Sequence, residues 1–264
     1  MLLDAVVLVL REVLEAAVLV SLLIALSLNL RLRLRWLVWA LPIALLGTYL
    51  FASRLATITD ALDGAGQEVV NASLQIGIYL LIVAIVCCVL LLQRSPSLTS
   101  LLYVAMTLAV SFAMIREGSE IWIYVTGFAA VTEYRTAIYA GSAIGAGIGL
   151  SVGVLLFAGL RAMPASRSYA TCLAALGLIG AGMVMQATLL LTQVDWLPAG
   201  KPLWNSSALL SEQSIAGELL YAVFGYEATP SALQVGLYLG CLALVAVLPV
   251  VLRGHDQGRG GGYA

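Results

Sequence analysis

The chain reads as an all-α polytopic membrane protein with seven transmembrane helices. Three observations predict this. Of 264 residues, 62% are hydrophobic and only 10% charged, where soluble domains carry about 25% charged residues. The apolar residues gather into runs near the roughly 20 residues that cross a bilayer. Most charges fall in the gaps between those runs.

The runs predict helices over 3–29, 36–53, 73–93, 98–126, 136–160, 169–193 and 232–252. Arg31, Arg33 and Arg35 follow the first, Arg94-Ser95-Pro96-Ser97 the third and Met163-Pro164 the fifth, each a break with turn or breaker chemistry. Between the sixth and seventh, Trp196, Pro198, Pro202 and Trp204 suit a membrane interface, and Ser206–Phe224 suits a short amphipathic helix. A single transmembrane domain is therefore expected over 1–252, with 253–264 a glycine-rich flexible cytoplasmic tail. No basic leader precedes the first apolar run, where the early charge is Asp4, so Met1 is expected to open the first helix of the mature chain.

Loop charges set the expected orientation. With the N-terminus outside, Arg31, Arg33, Arg35, Arg94, Arg161, Arg167, Arg253 and Arg259 lie inside. Arg54, Arg135 and Lys201 remain outside, so the positive-inside bias predicts N-out and C-in. The loop acids, from Asp4 through Asp60, Asp63 and Glu68 to Glu227, gather on the opposite side, where they either carry no topological weight or raise the local cation concentration.

Two clusters break the apolar pattern: Arg11-Glu12-Val13-Leu14-Glu15 and Arg116-Glu117-Gly118-Ser119-Glu120. One Arg or Asp at the centre of a spanning helix costs about 2.5–3.5 kcal/mol, so two copies of R-E-x-x-E call for a use. The copies fall on the first and fourth helices, which run in opposite directions. That arrangement predicts an inverted three-plus-three repeat with a seventh helix added. Gly141, Gly145, Gly149 and Gly153, four residues apart, predict close helix packing on the fifth helix.

Residues three and four apart share a helix face, so Glu12 and Glu15 point together, as do Glu117 and Glu120. If the helices meet, four carboxylates converge beside Arg11 and Arg116, leaving two negative charges when all are ionised. Such a pocket favours a cation, and carboxylate oxygens suit hard ions: Mg²⁺, Ca²⁺, Mn²⁺ or Fe³⁺. No His or Met stands at ligand spacing, which disfavours copper and zinc. Protonation of glutamates is another way to discharge the pocket. Arg–Glu pairs can also simply join helices, but one Glu per Arg would serve that end. No nucleophile motif, nucleotide loop or large soluble domain points to an enzyme. Cys87, Cys88, Cys172 and Cys241 lie in apolar runs without metal-site spacing and read as small hydrophobes. His255 in the tail carries no role.

The doubled R-E-x-x-E on the first and fourth of seven helices resembles the high-affinity iron permease family, which spans oxidase-coupled fungal transporters and bacterial inner-membrane permeases. Leu203-Trp204-Asn205-Ser206-Ser207, Leu209-Leu210-Ser211-Glu212-Gln213-Ser214, and Gly225-Tyr226 with Thr229-Pro230-Ser231 resemble the bacterial branch. The resemblance implies a permease domain over 1–252 that imports iron as Fe³⁺, with no cofactor because the ion is cargo. It also implies a bacterial inner membrane setting and an extracytoplasmic oxidase or iron-delivery partner. It makes Glu12, Glu15, Glu117 and Glu120 the iron-handling carboxylates, with Arg11 and Arg116 as supporting charges. Val13 stands where glycine is frequent in the family. In the outer loop expected before the third helix, where relatives carry E-x-x-E, this chain has Glu68-Val69-Val70-Asn71, which leaves Glu68 as the candidate accessory residue. The other classes open at this stage are a proton-coupled transporter of Mn²⁺ or Mg²⁺ and a structural membrane subunit of a redox complex.

Overall fold

A computed structural model describes residues 1–92 and 94–254. Among them the regular elements are helices: α1 (Leu2–Asn29), α2 (Arg35–Ser53), α3 (Leu55–Asp60), a 3-10 turn (Ala61–Gly64), α4 (Gly66–Leu91), α5 (Leu98–Ala129), α6 (Arg135–Ala162), α7 (Ala165–Gln193), α8 (Ile215–Phe224) and α9 (Ala232–Gly254). Six of these, α2, α4, α5, α6, α7 and α9, are long and apolar enough to cross a membrane by length and composition. α1, with 28 residues, is the further long helix and carries the first charged cluster. The expected flexible tail, with His255, lies outside the described residues except for the last residues of α9.

Each charged helix packs most extensively on one small-residue helix: α1 on α6 and α5 on α2. On α6, Gly141, Gly145, Gly149 and Gly153 form the buried stripe. A Cβ at Gly145 would stand 2.4 Å from the Val6 carbonyl oxygen, and one at Gly141 2.6 Å from that of Leu2. The two backbones therefore touch, as small residues allow in membrane helices. Ser21 closes this seam by donating to the Gly153 carbonyl at 2.8 Å. On α2 the corresponding stripe is Trp36, Ala40, Ala44 and Thr48, and Ser111 of α5 donates to the Ala40 carbonyl at 3.3 Å. α1 and α5 also contact each other, and α4 and α7 pack together behind them. The core is built of α1, α4, α5 and α7, from Leu19, Leu22, Ile78, Ile82, Met106 and Leu176.

Two elements near the site differ from the sequence reading. α4 begins at Gly66, seven residues before the expected 73, so Glu68 lies in its first helical turn and not in a loop. Gln67, Glu68, Asn71 and Gln75 interrupt the apolar run in the sequence, yet they face protein or a cavity, where polar atoms are tolerated. The amphipathic helix expected over 206–224 is confined to Ile215–Phe224. Upstream, Asn205 accepts from the Ser207 N–H at 2.9 Å and Ser206 is engaged with Ala228, because short polar side chains offer the backbone non-helical partners. Ser214 then caps α8 by accepting from the Gly217 N–H at 3.1 Å. α1, α5 and α6 keep their expected cores and extend by one to three residues at their ends.

The segment around α8 is strapped across one end of the bundle. Leu203 and Ser206 donate backbone N–H groups to Pro230 and Ala228, so 202–206 runs antiparallel to 228–231. α8 ends on Gly225 in the left-handed region (φ 67°), the usual glycine stop. There a Cβ would stand 2.8 Å from Gly182, so α8 rests directly on α7. Gln186 of α7 donates to the last carbonyls of α8, Tyr221 at 3.0 Å and Ala222 at 3.1 Å. This satisfies groups that a helix end leaves unpaired. α8 also packs on α1.

Two outcomes are expected. Gly145→Leu should push α6 off α1, costing about 1–3 kcal/mol as overpacking does, whereas Gly147→Ala, with nothing within 4 Å of the added carbon, should leave the melting temperature in detergent unchanged. Glu227, in the loop after α8, has its carboxyl pushed up to about 7 by burial and by Glu212 beside it. Between the ordinary value of 4.5 and about 7 the folded loop keeps a proton that the unfolded loop has lost. Raising the pH across that window therefore weakens the strap. Amide exchange over 203–231, corrected for intrinsic rates, should quicken from pH 5 to 7.5, and Glu227→Gln should flatten that dependence.

Candidate functional site

Helix direction brings the two charged clusters to one depth. Glu12 lies ten residues from the start of α1 and Glu117 twelve from the end of α5, about 15 and 18 Å at 1.5 Å per residue. α1 and α5 run antiparallel, so both distances are measured from the same end of the bundle. Both match the roughly 15 Å half-thickness of a hydrocarbon core. The two sides are then in contact, although 101 residues separate Glu15 from Arg116.

Arg116 is the hub. Its Nη1 donates to Glu15 Oε2 and to Glu117 Oε1, both at 2.6 Å, while its Nε stands 3.6 Å from Glu120 Oε1. Arg11 donates through Nε to Glu12 Oε1 at 2.8 Å and lies 3.8 Å from Glu120 Oε2. The Ser119 hydroxyl donates to the Arg116 carbonyl at 2.7 Å, anchoring the second cluster to its own helix. Glu12, Glu15 and Glu117 are at most 3% exposed and Arg116 5%. The side chains of Arg11 and Glu120 keep 28% and 26% of their surface open.

Each of the three buried glutamates uses one oxygen on a guanidinium and leaves the other without a hydrogen bond: Glu12 Oε2, Glu15 Oε1 and Glu117 Oε2. A buried acceptor without a partner costs about 1–3 kcal/mol, more when charged, and calls for an explanation such as an ion. One carboxylate oxygen from each of the three lies within 4.8 Å of the other two, close enough to share a metal ion. The expected set of four thus divides. Three carboxylates converge, and Glu120 stands beside them on the more open side.

Glu68, Asn71, Glu120 and Tyr124 line a cavity of about 530 Å³ together with Leu8, Gln67 and Leu190. The sequence reading named Glu68 and Glu120 but passed over Asn71 and Tyr124, and also the buried pair Gln75 and Gln186. Gln75 Nε2 donates to Gln186 Oε1 at 2.6 Å, tying α4 through α7 to the end of α8. The available signal was an amide inside an apolar helix, the same signal that flagged the charged clusters, at lower cost per residue. Val13, at the glycine-frequent position, packs on Gly149 of α6 with a would-be Cβ contact of 3.0 Å. Gly118, its counterpart, sits against Thr48 of α2 at 3.0 Å. All four cysteines are free.

Removing Arg116 should cost more than removing Arg11. Arg116→Gln strands two buried carboxylates and should destabilise by about 3–5 kcal/mol, the range for breaking a buried pair. Arg11→Gln, at a partly open site, strands one buried carboxylate, Glu12, and should cost less than Arg116→Gln. Thermal unfolding of the two variants in detergent at neutral pH checks the order.

Comparison with curated proteins and with solved structures returned no match. A comparison with protein-family models matched residues 2–254 to the family described as Iron permease FTR1 family. That span takes in every helix and both charged clusters. The chain is an integral membrane protein that belongs to the Iron permease FTR1 family, a family of permeases for iron and not of enzymes.

Proposed function

We propose that the protein imports Fe³⁺ through a pocket formed by Glu12, Glu15, Glu117 and Glu120, with Arg11 and Arg116 as supporting charges. The observation that carries this reading is the convergence of three buried carboxylates, each with an oxygen left free by its arginine. An all-oxygen, anionic set suits a hard, highly charged ion. The guanidinium groups hold one oxygen of each glutamate and reduce the repulsion among the carboxylates when no ion is bound. They also weaken the hold on the ion, and a transport site has to release its cargo. Glu120, less buried and within 4 Å of both arginines, is the carboxylate placed to pass the ion between the open side and the three buried ones.

The reading includes seven spans, with α1 added to the six apolar helices, in one permease domain over 1–252. Its orientation is N-out and C-in, following the arginines of the connecting segments. The two halves form an inverted repeat, α1-α2-α4 and α5-α6-α7, with α9 added. Packing supports the repeat: α1 lies on α6 as α5 lies on α2. Ala40, Ala44 and Thr48 on α2 repeat the four-residue spacing of Gly141, Gly145 and Gly149 on α6. The reading sets the protein in a bacterial inner membrane, where an extracytoplasmic oxidase or iron-delivery protein would supply ferric iron.

Radio-iron uptake into proteoliposomes tests the reading. Wild type should accumulate iron, and Glu12→Gln and Glu117→Gln should each reduce uptake at least tenfold while inserting normally. Mn²⁺ or Mg²⁺ that displaced iron at equal concentration would shift the assignment to another hard cation. Full uptake by both variants would remove the carboxylate pocket from the mechanism.

A further inference from the structure

Two cavities adjoin where α4, α7 and α9 pack together, and they differ in kind. The larger, about 610 Å³, is an apolar groove along α7, walled by Val86 and Leu90 of α4 and by Leu242 and Ala246 of α9. The other, about 450 Å³, lies at the end of the bundle and is lined by Asn29, Arg31, Leu92 and Ala165. Tyr169 lines both. The groove has a local cause. α7 and α9 touch through Gly177, where an added Cβ would stand 3.1 Å from Val245, while Ala170, Ala174 and Ala246 are too small to fill the space beside that contact. These three alanines are exposed, so the groove opens sideways to the bilayer. From Ser166 to Leu178 it follows α7 for about 18 Å at 1.5 Å per residue, close to the roughly 15 Å of hydrocarbon in one leaflet.

The end of the bundle beside the groove is strongly basic. Arg31, Arg33, Arg35, Arg94, Arg161 and Arg167 lie in or next to the segments that join helices there. No Asp or Glu occurs between Glu15 and Asp60, Glu68 and Glu117, or Glu133 and Asp195, the stretches that build this end. Arg31 stands in the left-handed region (φ 55°) just past α1. Its N–H donates to the Leu28 carbonyl and that of Leu32 to the Ser27 carbonyl, the helix-ending turn in which glycine is usual. An arginine there takes on a backbone cost that glycine avoids, and its side chain lines the polar cavity. α7 turns its N-terminal end, the positive pole of its dipole, to the same cavity through Ala165.

We propose that the paired cavities bind one anionic phospholipid, with an acyl chain in the groove and the phosphate beside Arg31. Charge complementarity names the occupant. An apolar slot one leaflet deep takes a hydrocarbon chain, and a cavity with a guanidinium and no carboxylate takes an anion. Basic pockets between membrane helices hold anionic headgroups in this way, and the guanidinium fork matches phosphate oxygens. A headgroup that carries an amine would meet the same positive field and be disfavoured. Asn29 already donates to the Ser168 hydroxyl at 2.9 Å, joining α1 to α7 at the cavity. A lipid seated there extends that junction to α4 and α9, whose side chains wall the groove. The site is separate from the buried carboxylates: Asn29 lies fourteen residues beyond Glu15 on α1, about 21 Å along the helix.

Native mass spectrometry of the purified full-length protein, delipidated in detergent and titrated with phosphatidylglycerol or phosphatidylcholine, tests the proposal. Wild type should hold one phosphatidylglycerol at least tenfold more tightly than phosphatidylcholine. Arg31→Gln should weaken phosphatidylglycerol at least tenfold and leave phosphatidylcholine unchanged, while Arg31→Lys should keep most of the binding. Arg161→Gln removes an equal charge from the same end without touching the cavity, and should change binding less than twofold. Ala174→Phe, which fills the groove from its exposed side, should weaken binding at least tenfold. In parallel, phosphatidylglycerol should raise the melting temperature of wild type and Arg161→Gln but not of Arg31→Gln. Equal losses in Arg31→Gln and Arg161→Gln, equal retention of the two lipids by wild type, or indifference to Ala174→Phe overturns the lipid site. Lipid binding that survives Ala174→Phe while a dimer separates into monomers assigns the groove to a second copy of the chain instead.

Discussion

The rest of the structure depends on a set of carboxyl and guanidinium groups buried where α1 meets α5. Arg116 and the carboxylates of Glu15 and Glu117 are almost fully buried, and ions lifted out of water are tolerated only in close, hydrogen-bonded company. Arg116 supplies it by donating to both glutamates at 2.6 Å. Neither α1 nor α5 could carry its cluster alone. Each places two acids beside one base, and the sharing of Arg116 between helices makes the arrangement tolerable. The contact between α1 and α5 is thus fixed by charge.

Holding two charged helices at that contact requires close support from behind. α6 and α2 provide it with stripes of glycine and of alanine and threonine, which let backbone approach backbone. Lipid offers no hydrophobic drive toward helix association, so packing contact and interhelical hydrogen bonds carry it. The Ser21–Gly153 and Ser111–Ala40 bonds add to both seams. α8 closes the side between α1 and α7, and its exposed carbonyl end is met by Gln186, itself braced by Gln75. The amide pair thereby connects the strap at one end of the bundle to α4, the helix that walls the cavity.

From the cavity to the buried carboxylates the oxygens change in kind. Amide and phenol oxygens accompany Glu68 and Glu120 on the open side, and the carboxylates of Glu12, Glu15 and Glu117 face one another beside Arg116 in the interior. The asymmetry between Arg11, partly open, and Arg116, buried, places the stronger restraint on the deep side.

How much of this was legible in the sequence follows from particular residues. The apolar runs marked the long helices, because a run of that length has no other stable use than crossing lipid. Arg11-Glu12-x-x-Glu15 and Arg116-Glu117-x-x-Glu120 stood out because charge in such a run is costly, and the Gly141–Gly153 ladder showed a helix face by its spacing alone. The start of α4 was hidden, because Glu68, Asn71 and Gln75 read as the end of an apolar run until a cavity and a neighbouring helix are there to receive them. Local serine and asparagine bonding shortened α8 in a way that hydrophobic periodicity does not register. The sequence by itself determined which residues were too costly to be idle, since that cost belongs to each residue and its helix. Only the tertiary structure decided that Glu12, Glu15 and Glu117 converge while Glu120 faces a cavity with Asn71 and Tyr124, because distances between helices far apart in the chain depend on how all of them pack.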